Sequence, residues 1–265
     1  MNVRKYFDYS PELELTVAQI GINKWDWEHI DTADYEKARS IMKSKNFDVL
    51  PIYENGNYQR YFKTKDWGNF NEISILNLKR ENTVYYRLSF IDILKKFEQD
   101  KNHFYFLADS EEVLGLITIS NLNCLAVYHY IYQITSNLER KISNFIQSYL
   151  TEDEVLDILR KTAELSAKNA LKTFEKDRRN NDENNIFQHL YFPTLNSILK
   201  NSENKIPEKA RQILDYRNNF SANGLYNKIR NEVAHPIGSL FKSHSSVVKI
   251  NKLITDFYFI ENLVS

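Results

Sequence analysis

The sequence contains little cysteine, glycine or proline: one Cys, six Gly and five Pro among 265 residues. The single cysteine, Cys124, excludes an intramolecular disulfide and indicates a reducing compartment. The combined fraction of glycine and proline is far below the roughly 12% found in average proteins. Such a scarcity of turn residues favours long helices over a many-stranded sandwich. The sequence also has no G-x-G-x-x-G, Walker A or G-x-S-x-G motif, which argues against the common dinucleotide, P-loop and nucleophile-elbow sites.

A net charge is also absent, because 35 basic side chains balance 35 acidic ones. This neutrality argues against a protein that coats nucleic acid by charge alone. The balance is a cancellation: residues 1–123 hold 16 basic and 19 acidic side chains, and residues 124–265 hold 19 and 16. A polyanion is therefore expected to favour the second half.

No long stretch of the sequence consists entirely of apolar residues. The N-terminus lacks the apolar core of a signal peptide. Residues 113–138 carry no formal charge and are numerous enough to cross a bilayer, but several of them are polar. We expect a buried strand that runs into a helix, and a soluble, cytoplasmic protein that does not associate with a membrane.

The first half contains an internal repeat. A helix-like segment at residues 34–44 precedes a strand-like run at 48–53, and the same order recurs at 89–99 and 103–107. Laying Asp48 on His103, an offset of 55 residues, aligns helix with helix and strand with strand. The repeat predicts two α/β units packed about a pseudo-twofold axis. Trp25, Trp27 and Trp67 are expected to fill their core.

The second half has a helical pattern throughout. Apolar residues recur at helical spacing between residues 131 and 149, and Thr151 with Glu154 forms a capping-box pattern that opens a second helix reaching residue 171. Tyr128, Tyr130 and Tyr132 are spread around the first of these helices. A polar loop is predicted at 176–185, and further helices at 186–199 (with a break at Pro193), 207–216, 224–234 and 247–264.

The candidate chemistry lies in residues 228–236, K-I-R-N-E-V-A-H-P. The six histidines show no metal-ligand spacing, so we expect no metal site. Arg230 offers a planar cationic fork that matches a phosphate, and His235 can exchange a proton near neutral pH. Asn231 can orient the imidazole or bind a phosphate oxygen. These three groups suffice to cleave RNA through its own 2′-hydroxyl.

The segment resembles the R-x4-6-H signature of the HEPN superfamily (higher eukaryotes and prokaryotes nucleotide-binding), over residues 124–265. The resemblance also covers Asn137-Leu138-Glu139-Arg140 on a long first helix. It implies a dimer of helical bundles with metal-independent ribonuclease activity, often serving as a toxin or a defence effector. Arg230 would hold the scissile phosphate, His235 would act as acid or base, and Asn231 would support them.

Two alternatives stay open for this motif. In the first, Arg230 pairs with a carboxylate on a solvated face and His235 caps the helix, so that both residues are structural. In the second, the fold is kept as a catalytically inactive module for dimerisation or nucleotide binding.

The first half resembles a tandem pair of CBS domains (the cystathionine-β-synthase motif), which often bind adenosine nucleotides. Residues 115–122, G-L-I-T-I-S-N-L, are similar to the family's G-x-x-T-x-x-D-L segment, with Asn121 where that family usually has Asp. The resemblance implies that Thr118 reaches a phosphate and Asn121 a ribose. In the first repeat, Asp66 would take the ribose, and Thr64 or Lys63 the phosphate. The alternative is that these polar residues cap the following helices.

The sequence therefore predicts an α+β tandem CBS pair at residues 1–123 and an all-α HEPN bundle at 124–265. The predicted function is a metal-independent endoribonuclease, a toxin, defence or stress effector, that cleaves single-stranded RNA. An adenine nucleotide (AMP, ADP, ATP or a related molecule) would regulate a homodimer. The alternative is a catalytically inactive, nucleotide-responsive dimeric binding module.

Overall fold

The structure is a computed structural model that describes residues 14–66, 68–110, 112–180, 185–202, 204–207, 211–236 and 238–264. It consists of a mixed α/β region with two small sheets, followed by a largely helical region. The chain divides into two compact units. The N-terminal unit comprises residues 1–126 and Phe241–Val247, and the helical unit comprises Val127–Leu240 and residues 248–265.

The N-terminal unit contains all the described strands and three helices. The helices are α1 (Val17–Ile20), α2 (Tyr35–Lys45) and α3 (Phe90–Asp100). The strands are β1 (Ile22–Asn23), β2 (Val49–Glu54), β3 (Asn57–Thr64), β4 (Ile73–Asn77), β5 (Thr83–Tyr85), β6 (Phe104–Ala108) and β7 (Val113–Thr118).

The strands form a four-stranded sheet in the order β1-β7-β6-β5 and a three-stranded sheet in the order β2-β3-β4. Only the β5–β6 pair is parallel among these described strand pairs. An isolated parallel bridge between Ile30 and Ile52 gives the three-stranded sheet a counterpart of that pair.

The internal repeat is confirmed at the level of secondary structure. Helices α2 and α3 have 11 residues each. Both α3 and β6 start 55 residues after α2 and β2, their counterparts. The local signals repeat as well, because Asp34 and Ser89 cap the two N-termini with side-chain oxygens, and Asn46 and Lys101 end the helices with left-handed backbone. Matching caps and lengths show that one β-α-β-β plan is used twice.

The two repeats share a core. Tyr61 of β3 packs its ring 5.7 Å from Phe104 and 5.1 Å from Phe106, which belong to the other sheet. Trp27 joins this core as expected, whereas Trp25 is 80% exposed, so its predicted core position is wrong. Trp25 lies in the turn after β1, where its backbone N–H donates to Asn23 Oδ1. Trp67 lies outside the described residues.

The helical unit is built mainly from α-helices, of which the first and the last begin in the N-terminal unit. They are α4 (Leu125–Gln147), α5 (Glu152–Lys161), α6 (Leu165–Arg179), α7 (Phe192–Asn201), α8 (Arg211–Leu214), α9 (Arg217–Phe220), α10 (Leu225–Ala234) and α11 (His244–Val264), with a 3₁₀ segment at Ile186–His189 before α7. None of the described helices combines the length and the apolar character needed to cross a bilayer.

Several expectations for these helices are confirmed. Thr151 and Glu154 form the predicted capping box at the start of α5, and Gly224 precedes α10, which ends at Ala234. Residues 113–138 form a strand, a 3₁₀ turn and the start of α4, as the polar residues within that uncharged stretch indicated.

Other expectations are corrected. The second long helix is two helices, because Thr162 has extended backbone and its hydroxyl donates to the carbonyl of Ile158. Helix α6 continues to Arg179 through part of the predicted polar loop, and residues 181–184 of that loop lie outside the described residues. Pro193 stands in the first turn of α7, where its missing N–H leaves no helix bond unmade, so it opens a helix after the 3₁₀ segment.

Two further corrections concern the C-terminal helices. The helix predicted at 207–216 is limited, within the described part, to the short α8, which is followed by a separate α9. The last helix starts at His244 rather than at residue 247. Residues Phe241–Val247 belong to the N-terminal unit, where Asn123 exchanges two hydrogen bonds with the backbone of Phe241.

Gly115 provides a test of the sheet. A Cβ at Gly115 would lie 2.3 Å from the carbonyl oxygen of Ile22 on the paired strand β1. We expect Gly115→Ala to lower the free energy of unfolding in urea by about 1–3 kcal/mol, because the strands must separate.

Gly238→Ala is the matched control, since a Cβ there would meet nothing within 4 Å. Its expected change is below about 0.5 kcal/mol. Equal stability of the two variants would contradict the close β1–β7 pairing.

Candidate functional site

Arg230 lies at the edge of the buried face of α10. Tyr226, Ile229 and Val233 recur at helical spacing and are buried, which fixes the orientation of the helix. The Arg230 side chain, one position beyond Ile229, is 20% exposed. The helix therefore presents this guanidinium at the boundary between core and solvent.

A buried carboxylate stands beneath Arg230. The Glu139 side chain, on α4, is only 6% exposed, and its Oε2 lies 3.7 Å from Arg230 Nε. This distance makes an ion pair but is too long for a hydrogen bond. Glu139 Oε1 accepts a 2.9 Å hydrogen bond from the backbone N–H of Phe192, the first residue of α7.

Burial raises the pKa of Glu139 above its ordinary value of 4.5. The hydrogen bond from Phe192 and the charge of Arg230 act in the opposite direction and only partly offset the loss of hydration. These two partners favour the ionised form of Glu139, and burial favours the protonated form.

Two tyrosine rings flank the guanidinium. Its central carbon lies 4.9 Å from the ring centre of Tyr191 and 6.0 Å from that of Tyr132. Both rings are exposed, so they offer aromatic faces to solvent as well as cation–π contact to Arg230. The group of Arg230, Glu139, Tyr132 and Tyr191 is called the arginine cluster below.

Arg230 and Tyr191 separate two clefts of the helical unit. The larger cleft, of about 640 Å³, has a lining of mixed polar and apolar character and carries the cation Arg140 as well as Arg230. The smaller one, of about 380 Å³, is called the α6–α10 cleft below. It is lined by Ser166, Asn169, Ala170, Thr173, His189, Tyr191, Pro193, Thr194, Asn227, Arg230 and Asn231.

The predicted triad is only partly assembled within one chain. Asn231 lines the α6–α10 cleft beside Arg230, whose Nη1 donates a long, 3.4 Å hydrogen bond to Asn231 Oδ1. His235 is exposed at the C-terminal cap of α10, where its backbone N–H donates to the Asn231 carbonyl, and it lines neither of the two clefts. The contacts of Arg230 and His235 are thus also those of the structural alternative, except that the carboxylate partner, Glu139, is buried rather than on a solvated face.

Thr118 and Asn121 bind each other in a capping box. Asn121 Oδ1 accepts from the backbone N–H and the hydroxyl of Thr118, at 2.7 and 2.8 Å. The backbone N–H of Asn121 in turn donates to the Thr118 hydroxyl. These contacts are those of the capping interpretation, and both side chains stay partly exposed. Their predicted role in nucleotide binding stays a prediction.

Thr64 and Asp66 have different surroundings. Thr64 is buried, and its hydroxyl donates to Asp48 Oδ1, which also accepts from the backbone N–H of Gly68. Thr64 therefore stabilises the turn after β3. Asp66 is exposed in that turn, where a ligand could reach it.

Sequence reasoning gave no functional role to Glu139, Tyr191 or His189. A signal for Glu139 was present, since it falls among Thr135, Leu138 and Ile142 on the buried face of α4, and a charge at a core position requires a partner. No comparable signal marks Tyr191 or His189, which lie in the connection before α7. Among the described residues, no group of three or more His, Cys, Asp or Glu side chains is placed to hold a metal ion.

No protein-family model and no curated protein matches this chain. Among solved structures, the chain is similar to an uncharacterized conserved protein from Pyrococcus horikoshii, with 14% sequence identity and a TM-score of 0.32. The alignment covers 42% of this chain and 91% of that one. A likeness at this level carries no argument about function.

The raised pKa of Glu139 predicts a pH-dependent stability. The folded protein keeps the proton on the Glu139 carboxyl to a higher pH than the unfolded chain does. The stability that this protonation contributes is complete below pH 4.5 and is lost as pH rises through the folded-state pKa. We expect the difference in unfolding free energy, wild type minus Glu139→Gln, to fall as pH rises from about 4 to about 8. Urea titrations across this range measure it.

Glu154→Gln is the control of opposite sign. Hydrogen bonds from Lys205 and Thr151 lower the pKa of Glu154 to about 2, so its contribution is present above pH 4.5 and is lost towards lower pH. A constant difference between wild type and Glu139→Gln at every pH would refute the buried carboxylate.

Proposed function

We propose that the helical unit is a HEPN-like, metal-independent endoribonuclease that acts on single-stranded RNA, and that Arg230 holds the scissile phosphate. The observation that carries the proposal is the arginine cluster between two clefts whose linings are of mixed polar and apolar character. A guanidinium there can meet a phosphate while nucleotides on either side of it occupy the clefts.

The contacts of Arg230 suit a phosphate-binding role. Glu139 faces Nε, and the terminal nitrogens make one long hydrogen bond, to Asn231, within the described residues. The terminal nitrogens form the fork that binds phosphate oxygens in pairs. Glu139 fixes the orientation of the fork from below and is a positioning residue.

The tyrosines support single-stranded rather than double-stranded RNA. Exposed aromatic faces stack on unpaired bases of any identity, and each such stack contributes about 1–3 kcal/mol. Tyr132 and Tyr191 flank the guanidinium. A base next to the scissile phosphate can thus stack on either of two rings.

The proposed reaction is attack of the RNA 2′-hydroxyl on phosphorus. It gives a 2′,3′-cyclic phosphate and a 5′-hydroxyl, with Arg230 stabilising the charge that develops on the phosphoryl oxygens. His235 assists the attack from the exposed end of α10, and Asn231 supports the phosphate. In the proposed homodimer, two such sets share one RNA-binding cleft.

One observation favours a second candidate. Arg230 pairs with Glu139, and His235 occupies a helix cap, as purely structural residues would. The second candidate is accordingly the catalytically inactive, nucleotide-responsive dimeric module.

Cleavage of labelled RNA in EDTA separates the two candidates. We expect cleavage by the wild type and a loss of about 10²-fold or more in Arg230→Ala and His235→Ala, because a charge-stabilising group and a proton-transfer group are removed. Arg230→Lys should recover little, since an ammonium lacks the planar fork.

Arg160→Ala is the matched control, because Arg160 pairs with Asp157 on the exposed side of α5 and lines neither cleft. It should cleave as the wild type does. Equal degradation by all variants would indicate a contaminating nuclease, and RNA binding by the wild type without cleavage would establish the inactive module.

For the N-terminal unit we propose a tandem CBS-like sensor of adenine nucleotides. The support is the repeated β-α-β-β plan with a shared core between its two sheets. Of the five residues that the resemblance implicates, the exposed Asp66 is the most accessible to a ribose, and the buried Thr64 the least.

Calorimetric titration with AMP, ADP and ATP tests the sensor. We expect heat with at least one of them and an affinity about 10-fold lower in Asp66→Asn, because a charged acceptor is replaced by a neutral one. Asp26→Asn, an equally exposed aspartate of the same unit, is the control and should bind as the wild type does. No heat with any of the three nucleotides would refute the proposal.

A further inference from the structure

Two buried nitrogens without hydrogen-bond partners line the same cleft. Within the described residues, the buried side-chain nitrogens that lack a hydrogen-bond partner are Arg39 Nε, His189 Nε2 and Arg230 Nε. His189 and Arg230 both line the α6–α10 cleft. An unpaired buried donor or acceptor is costly, and a catalytic role is one reason why such a group is retained.

His189 has the surroundings of a proton-transfer group. It ends the 3₁₀ segment Ile186–His189, its side chain is 13% exposed, and its ring meets Phe174 edge-on at 6.1 Å. Nε2 lies 3.8 Å from Asp177 Oδ2 on α6, which provides the opposite charge for a protonated imidazole.

Among the residues that line the α6–α10 cleft, His189 is the one whose side-chain type suits proton transfer near neutral pH. Apart from Arg230 and Tyr191, they carry amides, hydroxyls or apolar groups. Arginine stays protonated, a phenol ordinarily ionises near pH 10, and amides and aliphatic hydroxyls do not ionise near neutral pH. Histidine is the residue type that does so.

The proposed cleavage needs two proton transfers. The 2′-hydroxyl must lose a proton as it bonds to phosphorus, and the departing 5′-oxygen must gain one. Within one protomer the motif contributes one imidazole, His235, which lies outside the α6–α10 cleft that Arg230 lines.

We propose that His189 is the second catalytic histidine and donates the proton to the leaving 5′-oxygen, an inference that rests on the proposed ribonuclease function. The 2′-oxygen bonds to phosphorus as His235 takes the 2′-hydroxyl proton. The P–O5′ bond then breaks as the His189 imidazolium transfers its proton to O5′. Exchange with water restores both rings.

A substrate with sulfur in place of the bridging 5′-oxygen tests this role, because a thiolate leaves without being protonated. We expect His189→Ala to cleave ordinary RNA about 10²-fold or more slowly than the wild type does, and to cleave the 5′-thio substrate within about tenfold of the wild-type rate. Asp177→Asn should show a smaller loss on ordinary RNA and none on the 5′-thio substrate.

His129→Ala is the matched control, since His129 is exposed on α4 and lines neither cleft. His189→Gln, which keeps most of the side-chain volume, replaces His189→Ala if thermal melting shows that the alanine variant is unfolded. Equal losses on both substrates, or no loss on ordinary RNA, would overturn the role of His189 and leave the ribonuclease proposal standing. Failure of the wild type to cleave either substrate would instead overturn the ribonuclease proposal.

Discussion

Burial of the Glu139 carboxylate is the constraint that organises the helical unit around Arg230. Moving a carboxylate out of water costs several kcal/mol unless charges and hydrogen bonds replace its hydration. Here one oxygen faces Arg230 of α10 and the other accepts from Phe192 at the start of α7. One side chain of α4 therefore ties together three helices that are far apart in the sequence.

The contact with α7 also explains the position of Tyr191. Tyr191 precedes α7 but makes no side-chain capping bond, so Glu139 supplies the acceptor for this helix N-terminus from a distant part of the chain. A carboxylate is favoured there because the N-terminal N–H groups carry partial positive charge. With the start of α7 held in this way, Tyr191 stands beside Arg230 and between the two clefts.

The N-terminal unit is organised differently: it repeats secondary-structure elements that are determined by their local sequence. Each repeat has a helix whose caps and length are set by its own sequence, and the two sheets bury one aromatic core between them. Three of the polar residues at positions that resemble nucleotide-binding ones form hydrogen bonds that stabilise a turn or a cap. Thr118 and Asn121 close a 3₁₀ turn, and Thr64 holds the turn after β3.

The sequence by itself determined the features that depend on near neighbours: the repeat, the boundaries of α2, α3 and α10 to within one residue, and the capping box at Thr151. Helix periodicity and caps act over three or four residues, so they can be seen in the sequence. Only the tertiary structure decided the partners of Arg230 and the placing of His189 in its cleft. The Glu139–Phe192 hydrogen bond, for example, spans 53 residues. Such contacts depend on how buried faces pack, which local patterns do not encode.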